Sequence, residues 1–264
     1  MTTSNFVEYS NDAGIAVVTL NRPEKRNALS DDVRTQFIAA LEKAAADRTV
    51  RAVVVTGRGK SFCAGGDIAG MRDRLSSPSD QIAFNGWTRQ KRTHQAVSLL
   101  HFMPKPTIAA VNGSSAGLGT DLALCCDFIV ASEEASFAWS YIRRGLIPDG
   151  GGLYFLPRRV GLARAKELIF SGRTVDAREA LQLGIADRIS SPDKLVADAI
   201  AWATELGRGS PVALALSKSI LDNSYELDAH SVFSQGSQAQ SICYTTAEHR
   251  AAVNDFLNAA TRKG

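Results

Sequence analysis

From residue 61 the chain reads Ser-Phe-Cys-Ala-Gly-Gly-Asp-Ile, and from residue 111 it reads Val-Asn-Gly-Ser-Ser-Ala-Gly-Leu-Gly-Thr-Asp. Each stretch places a glycine-rich turn directly after an apolar, β-type run. Turns of this kind aim bare backbone N–H groups at an anionic oxygen. If the two turns converge, the chain has a pair of donors for an oxyanion, and its chemistry passes through an enolate or a tetrahedral oxyanion.

Outward from these turns, strands and helices alternate along the first half of the chain. Runs rich in β-branched residues at Gly14–Leu20 and Ala52–Thr56 predict strands on either side of a helix over Asp31–Asp47. Thr107–Val111 and Phe128–Ala131 predict two more strands. This order of elements indicates an α/β fold.

The helix that starts at Asp31 is well marked, because Ser30 is a typical N-cap residue and two acids follow it. A long, largely polar stretch at 79–101 also predicts a helix. Beyond about residue 160 the β-type runs stop, and we expect an all-helical C-terminal third. The expected helices in that third cover 163–170, 177–183, 193–205, 211–221 and 247–260.

Composition limits the classes of function. The chain has 264 residues, of which 45% are hydrophobic and 22% charged, with a formal net charge of +3 and no basic block. We therefore expect no nucleic-acid partner. No apolar run approaches the roughly 20 residues that a membrane span needs, and the N-terminal residues do not resemble a secretion signal. The expectation is a soluble, cytoplasmic protein without a membrane partner.

The cysteines and histidines do not form a recognisable catalytic or metal pattern. Cys63 lies beside the first glycine turn, so it is a candidate nucleophile, but no histidine is near it in sequence to activate it. A buried thiol is the favoured interpretation. We expect neither a zinc site nor a hydrolase triad. The remaining residues of both types are Cys125, Cys126, Cys243, His94, His101, His230 and His249.

Seven motifs occur in an order that resembles the enoyl-CoA hydratase/isomerase (crotonase) family. The resemblance implies a spiral core of ββα turns over residues 1–190 and a helical trimerisation region over 191–264. It also implies a homotrimer or a dimer of trimers, with an acyl group carried by coenzyme A as substrate and no permanently bound cofactor. The motifs are Asn21-Arg22-Pro23, Asn27-Ala28-Leu29, residues 62–68, residues 105–113, Cys126-Asp127, residues 145–152 and Leu156-Pro157-Arg158.

The resemblance assigns the two oxyanion donors to the backbone N–H groups of Gly66 and Leu118. Members of the family usually have glycine at the second position, but the donor is main chain, so leucine does not remove it. Lys25 and Arg26 are either phosphate contacts or solvated loop charges, and Asp67 is a candidate helix cap. The coenzyme A contacts implied are Lys25, Arg26, Ala28, Ala64, Gly66, Asp67, Ile68 and Ala69.

The acid–base residues decide which reaction is expected. Hydratases of this family use two glutamates, and the corresponding positions here hold Asp121 and Tyr141. A tyrosine with its usual pKa of about 10 is a poor base at neutral pH, so ordinary hydration is disfavoured. Asp149 resembles the base of double-bond isomerases in the family. We therefore expect isomerisation, with Asp149 as base and Asp121 as a second acid or orienting group.

Each of these residues also has a purely structural interpretation. Asp149 stands where it could cap a helix beginning near Gly151, and Asp121 could complement the dipole of its own helix. Trp139, together with Tyr141, forms either an aromatic acyl pocket, faced by Trp87, or ordinary core. The alternatives to an isomerase are a hydratase in which Asp121 activates water and an acyl-CoA-binding protein without turnover.

Overall fold

The structure, a computed structural model, describes residues 5–261. It has the α/β fold expected from the sequence. Helices α1 to α8 alternate with or cover strands, and α9 to α11 follow. The strands are β1 (Val7–Asp12), β2 (Ile15–Leu20), β3 (Ala52–Gly57), β4 (Ser61–Cys63), β5 (Thr107–Val111), β6 (Ser114–Ala116), β7 (Phe128–Ser132), β8 (Ser136–Ala138), β9 (Thr174–Asp176) and β10 (Arg188–Ser190). The helices are α1 (Asp31–Ala46), α2 (Ile68–Leu75), α3 (Ser79–His101), α4 (Leu118–Leu124), α5 (Gly152–Val160), α6 (Leu162–Ser171), α7 (Ala177–Leu183), α8 (Leu195–Leu206), α9 (Pro211–Asp222), α10 (Ala229–Tyr244) and α11 (Ala247–Thr261).

Within residues 5–261, the strands form a six-stranded sheet in the order β1-β2-β3-β5-β7-β10 and a four-stranded sheet in the order β4-β6-β8-β9. In the larger sheet only the β1–β2 pair is antiparallel. Every residue of β3 is buried. Its continuous apolar run is typical of a parallel strand that is covered on both faces.

A repeating unit relates the two sheets. A long strand of the larger sheet is followed by a short strand of the smaller sheet and then by helix, three times in succession: β3–β4, β5–β6 and β7–β8. Because β3, β5 and β7 are neighbours in one sheet and β4, β6 and β8 in the other, the repeats stack. The chain therefore winds as a spiral of ββα turns, which confirms the expected fold.

Helix α1 confirms its sequence signals. The Ser30 Oγ accepts a hydrogen bond from the Val33 N–H at 3.3 Å, as the N-cap predicts. Phe37 and Leu41 are buried on one face of the helix. That face packs on the larger sheet and fixes where the helix begins, next to the glycine turns.

The expectation that strands stop near residue 160 was wrong. β9 and β10 add one edge strand to each sheet. Each has only three residues, which is too short to give the alternating apolar pattern that marks a strand in sequence. β1 also lies in a segment that reads as polar, because two of its six residues, at its end, are acid or amide and exposed.

The C-terminal helices divide into two groups. Trp202 and Ala199 of α8 are buried against the larger sheet together with Val54 and Ile108. Helices α9 and α10 contain no buried residue. No helix in the part of the chain that the structure describes combines the length and apolarity needed to cross a membrane. The exposed large apolar side chains on α10, α11 and the segment before them are Tyr225, Phe233, Ile242, Tyr244, Val253, Phe256 and Leu257.

Candidate active site

The two glycine turns meet because the strands before them are paired. Ser61 pairs with Ser114 and Cys63 with Ser115, so β4 and β6 deliver their turns to the same edge of the smaller sheet. At Gly65, with φ of +88°, a methyl group would lie 2.6 Å from the Ala116 carbonyl oxygen and 3.2 Å from the Leu118 nitrogen. Glycine is required there because the two backbones touch.

The expected oxyanion donors face the same cleft. Gly66 and Leu118 both line it. Leu118 is the first residue of α4, where backbone N–H groups have no intrahelical acceptor. The N–H groups of Thr120 and Asp121 donate to Gly117 at 3.0 and 3.1 Å. Within residues 5–261, no protein acceptor is recorded for the N–H of Gly66 or Leu118. Both are available to a ligand oxygen.

The cleft has a volume of about 900 Å³ and lies between the start of α1, the two turns, α3 and the segment 140–149. This volume is near the upper end of the usual range for ligand pockets, which is about 300–1,000 Å³. It brings together most of the residues expected from the sequence. Those that line it are Lys25, Arg26, Ala28, Ala64, Gly66, Asp67, Ile68, Leu118, Tyr141 and Asp149.

Two expected residues stand apart from that set. Asp121 is completely buried and does not line the cleft. Ala69 lies in the first turn of α2, and its side chain is outside the part of the structure that is described. Asp67 forms an ion pair with Arg22 across the cleft mouth. That contact ties the first glycine turn to the basic segment that carries Lys25.

A buried amide holds this basic segment in place. Asn27 is fully buried and has a φ of +56°, and its Oδ1 accepts from the Arg22 N–H at 2.9 Å. Its Nδ2 donates to the carbonyl oxygens of Arg58 at 3.0 Å and Ser61 at 2.7 Å. Asn27 therefore positions the segment Lys25–Arg26 beside strand β4, which explains why the residue occurs in the motif.

Tyr141 separates Asp121 from the cleft. The Tyr141 hydroxyl donates to Oδ2 of Asp121 at 2.7 Å, and Tyr141 itself lines the cleft. Burial raises the pKa of Asp121 to about 7, against the lowering effect of the hydrogen bond from Tyr141. Burial, followed by the charge of Asp121, raises the pKa of Tyr141 above its usual value. Tyr141 is therefore a hydroxyl donor and not a base.

The glycines at 150–152 make room for the Asp121 carboxylate. A methyl group on Gly150 would lie 2.9 Å from Asp121 Oδ2, and one on Gly152 would lie 2.4 Å from Asp121 Oδ1. Oδ1 is buried and has no hydrogen-bond partner among the described residues. Ionising a carboxyl group in this enclosed pocket is energetically unfavourable, which agrees with the raised pKa of Asp121.

Asp149 is the expected catalytic acid that reaches the cleft. Its side chain is partly buried and lines the cleft. Burial raises its pKa above the usual value, and the charges of His94, Arg89 and Arg34 act in the opposite direction. It does not cap α5, because Gly151 is the N-cap residue and no side chain caps that helix. The capping interpretation of Asp149 was therefore wrong.

The expected aromatic pocket is only partly present, whereas the buried-thiol interpretation of Cys63 is confirmed. Trp139 is fully buried in the core, and Trp87 is 58% exposed outside the cleft lining, so only Tyr141 of the three faces the cleft. Cys63 is completely buried, and burial raises its pKa to about 12. Its thiol donates to the Asn27 carbonyl oxygen at 3.1 Å. Cys63 is a buried core thiol and not a nucleophile.

Beyond the residues expected from the sequence, the cleft is lined by the exposed Arg72 and Arg144 and by two less exposed arginines, Arg34 of α1 and Arg89 of α3. No motif marks either residue. One signal was available for Arg34, since it lies one and two helical turns before Ile38 and Leu41, on the buried face of α1. A charge on a buried helical stripe is informative, because it is costly without a partner.

In sequence, the chain is similar to a known family and to several of its proteins. A family model described as Enoyl-CoA hydratase/isomerase matches residues 10–262. The Bacillus subtilis (strain 168) protein named putative enoyl-CoA hydratase/isomerase YhaR is 37% identical over 254 residues, which cover 96% of each chain. The Escherichia coli (strain K12) 2,3-dehydroadipyl-CoA hydratase is 33% identical over 248 residues, which cover 94% of this chain and 93% of that protein.

Solved structures agree with the sequence relatives. The crystal structure of an enoyl-CoA hydratase/isomerase from Cupriavidus metallidurans CH34 superposes with a TM-score of 0.89 at 34% identity, and the match covers 98% of this chain and 95% of that one. The structure of an enoyl-CoA hydratase from Bacillus anthracis gives a TM-score of 0.88 at 29% identity, covering 96% of each chain.

Proposed function

The chain belongs to the enoyl-CoA hydratase/isomerase family and acts on acyl-CoA thioesters, and from that premise we propose that it moves a carbon–carbon double bond of an enoyl-CoA. One observation carries the proposal. Of the two carboxylates that the sequence assigned to acid–base chemistry, Asp149 lines the cleft with Gly66 and Leu118, whereas Asp121 is fully buried. A single accessible carboxylate suits proton transfer between two carbons of one substrate.

The oxyanion donors activate the substrate for proton loss. The thioester oxygen accepts from the N–H groups of Gly66 and Leu118 and gains negative charge as a proton leaves the acyl chain. Donors that are already in place stabilise that charge without reorganising. Loss of one such donor typically costs about 3 kcal/mol of transition-state stabilisation.

Asp149 removes and returns the proton. Its carboxylate takes a proton from the γ-carbon of a 2-enoyl thioester, and the electron pair of that C–H bond moves into the chain to give a dienolate at the oxyanion hole. Delivery of a proton to the α-carbon then gives the 3-enoyl isomer, with no change in composition. Burial, which raises the pKa of Asp149, brings the pKa of this acid and base closer to neutral pH.

Tyr141 and Asp121 supply the second acid of the proposal. The Tyr141 hydroxyl lies between the cleft and the Asp121 carboxyl, whose raised pKa of about 7 leaves a fraction of the molecules protonated there near neutral pH. Asp121 therefore acts through Tyr141 and does not contact the substrate. It is a positioning residue for the hydroxyl, and Tyr141 orients the acyl chain or passes it a proton.

Hydration is the second candidate, and the names of the relatives favour it, since several are called hydratases. The version expected from the sequence, in which Asp121 activates water with help from Tyr141, is disfavoured because Asp121 is fully buried and does not line the cleft. In the version that the structure allows, Asp149 and Tyr141 hold one water, and Asp149 removes its proton. The geometry favours it less, because the hydratases that the chain resembles use two carboxylates on the water. An acyl-CoA-binding protein without turnover is the third candidate.

The remaining assignments complete the proposal. We assign the coenzyme A part of the substrate to Lys25, Arg26 and the turn 64–68, where backbone and basic groups line the cleft. The exposed apolar side chains of α10 and α11 support a homotrimer or a dimer of trimers, with residues 191–264 as the oligomerisation region. We place the enzyme in the cytoplasm.

Deuterium exchange tests the proposal. The protein is incubated with 2-hexenoyl-CoA and with 3-hexenoyl-CoA in heavy water, and mass spectrometry locates the label. The expected result is deuterium at the γ-carbon and interconversion of the two isomers without a hydrated product. Water addition without γ-exchange would replace isomerisation by hydration. Neither reaction across a series of acyl lengths would leave only the binding protein.

The variants identify the base, whichever of the two reactions the protein catalyses. Asp149→Asn should abolish γ-exchange, whereas Asp121→Asn should reduce it to a lesser extent. If Asp121→Asn removes all activity and Asp149→Asn does not, Asp149 is not the base. Binding of hexanoyl-CoA, which cannot react, shows whether each variant still has a formed cleft.

A further inference from the structure

Arg34 is a buried cation at the wall of the cleft. It is 7% exposed, and its Nη1 donates to Asp31 Oδ1 at 2.8 Å. The Asp31 side chain is 76% exposed, so this partner is largely in water. The Nε of Arg34 is buried and has no hydrogen-bond partner among the described residues. A guanidinium has five N–H donors, and leaving one of these donors buried without an acceptor is unfavourable.

A second cation, from a neighbouring helix, lines the same cleft. Arg89 of α3 lines the same cleft, and α1 and α3 pack against each other. Burial lowers the pKa of Arg34, and the positive charge of Arg89 adds to that effect. Two like charges on adjacent helices repel each other unless an anion lies between them.

The nearby catalytic carboxylate does not fill this role. Asp149 lines the same cleft as Arg34 and Arg89, and their positive charges lower its pKa against the larger, opposite effect of burial. Among the described residues, however, no ion pair within 4.0 Å joins Asp149 to either arginine. The two guanidinium groups and Asp149 therefore surround a space that a ligand group can enter.

We propose that Arg34 and Arg89 bind a carboxylate on the acyl chain, so that the preferred substrates are coenzyme A monothioesters of dicarboxylic acids. The inference rests on the proposed function, because it places the reacting carbons beside Asp149 and the far end of the chain beyond it. A carboxylate accepts two parallel N–H bonds from one guanidinium, which satisfies the unpaired Nε of Arg34. It also neutralises the repulsion between the two arginines.

Coenzyme A offers the competing anion, since its phosphates also bind arginine. Lys25 and Arg26, on the segment that Asn27 holds beside β4, are the cations placed for those phosphates. Arg34 and Arg89 come instead from α1 and α3, and they line the cleft together with Asp149. The carboxylate is thus the anion that the position of these arginines favours, and the phosphate becomes an outcome of the test.

Binding of saturated thioesters tests the proposal without requiring turnover. Dissociation constants are measured by calorimetry for adipoyl-CoA against hexanoyl-CoA and for glutaryl-CoA against pentanoyl-CoA. Each pair has the same number of acyl carbons and the same coenzyme A. We expect the dicarboxylic member of at least one pair to bind about tenfold or more tightly, as a buried charge-assisted pair allows.

Three variants locate the effect. Arg34→Met and Arg89→Met should each reduce this preference by about tenfold, because each removes one partner of the carboxylate. Arg34→Lys should retain part of it, since the charge remains without the bidentate geometry. Arg92→Met is the matched control. Arg92 is an exposed cation on the same helix as Arg89, bonded to Thr35 Oγ1 at 2.7 Å and outside the cleft lining, so its loss should leave the preference intact.

Each outcome of these binding measurements either supports or overturns the proposed carboxylate site. Equal binding of both members in both pairs overturns the proposal. A Met variant that weakens both members by the same factor assigns its arginine to the phosphates and also overturns it. If Arg34→Met does not fold, Arg89→Met on the half-exposed position decides the question alone. A preference for adipoyl-CoA without any deuterium exchange would support the anion site and reject the isomerase. Deuterium exchange without the preference would support the isomerase and reject the anion site.

Discussion

Two carboxylates lie on opposite sides of Tyr141, and their surroundings differ. Asp149 is partly exposed in the cleft, among cations that favour its ionised form. Asp121 is fully buried in a pocket formed by Gly150 and Gly152, and burial raises its pKa to about 7. In the proposed mechanism the same type of side chain is thus a base on the open side and a proton-holding support on the closed side. Position relative to one aromatic ring makes the difference.

Asp149→Asn should give the largest effect, because it removes the base from the open side. We expect kcat for γ-exchange to fall by about 10³-fold, within the usual contribution of general acid–base catalysis. In the parent enzyme the rate should rise with pH as Asp149 ionises, at a pKa above its usual value, and this step should vanish in the variant. The test is the rate of deuterium exchange at the γ-carbon, measured for both proteins at a series of pH values.

The asparagine side chain has the volume of the aspartate, so hexanoyl-CoA should still bind to this variant. That binding is the control for a formed cleft. A loss of less than about tenfold, too small for a missing base, would show that the difference between the two carboxylates is not catalytic.

Asp121→Asn tests the closed side through stability. The folded pKa of Asp121 is above its unfolded value, so the folded state binds the proton more tightly. The stabilisation is present at low pH and is lost as pH rises between about 4 and about 7. The shift is about three units, so the free energy of unfolding of the parent should fall, relative to Asp121→Asn, on the order of 4 kcal/mol across that range.

Urea unfolding of both proteins at about pH 5 and about pH 8 gives about 2–3 kcal/mol of this difference, because the rest is lost below about pH 5, and other titrating groups cancel in the comparison. His101, whose pKa is lowered by burial, is one such group with the opposite sign. Parallel stability curves for the two proteins would mean that Asp121 is ionised at neutral pH. The two carboxylates would then be alike in charge, and the contrast between them would fail.

Much of the fold was available from the sequence. The buried runs of β3 and β5, the Ser30 cap and the glycine turns each have a local signal, and the structure confirms them. The three-residue strands β9 and β10 have none, because they owe their conformation to neighbours distant in sequence. Helix α8 likewise gives no local sign that its Trp202 face covers the sheet.

Part of the candidate active site was also predictable from the sequence. The glycine turns predicted a pair of main-chain donors, the family resemblance assigned them to Gly66 and Leu118, and both residues line the cleft. The roles of Asp121 and Asp149 depend instead on which side of Tyr141 each lies, and twenty residues separate Asp121 from that ring. Arg34 and Arg89 meet only when α1 packs on α3. Such convergence of distant residues has no signature in a single sequence.

Tyr141→Phe removes the group that joins the two sides. We expect kcat to fall by about 10–100-fold, equivalent to about 1.4–2.7 kcal/mol, with a smaller change in KM. The hydrogen bond from Tyr141 lowers the pKa of Asp121, so its loss should also raise that pKa above about 7. The pH midpoint of the stability difference described for Asp121 should therefore move upward.

A purely structural role for the ring would leave this midpoint in place, since phenylalanine fills the same space. An unchanged midpoint together with an unchanged kcat would show that the hydroxyl does not connect Asp121 to the cleft. The two carboxylates would then be independent, and Asp121 would have no part in the reaction.

Gly152→Ala should have the smallest effect, and it tests whether the closed pocket is shaped for Asp121. The added methyl group would lie 2.4 Å from Asp121 Oδ1, so the carboxylate must move. The methyl group would also lie 2.9 Å from Cβ of Pro148, so part of the clash does not depend on Asp121. Overpacking of this kind costs about 1–3 kcal/mol. In an Asp121→Ala background the same change should cost about 1 kcal/mol less, a coupling that a double-mutant cycle measures.

Gly86→Ala is the matched control for this substitution, because Gly86 lies inside α3 with no heavy atom within 4 Å of the added methyl group. Alanine in a helix interior is favoured over glycine by about 0.8–1.0 kcal/mol, so Gly86→Ala should stabilise the protein. Equal effects of the two substitutions, or additivity of Gly152→Ala with Asp121→Ala, would mean that Gly152 does not hold space for the acid. Coupling confined to Gly152 would show that the glycines and the buried carboxyl form one unit, which keeps Asp121 out of the cleft and leaves the chemistry to Asp149.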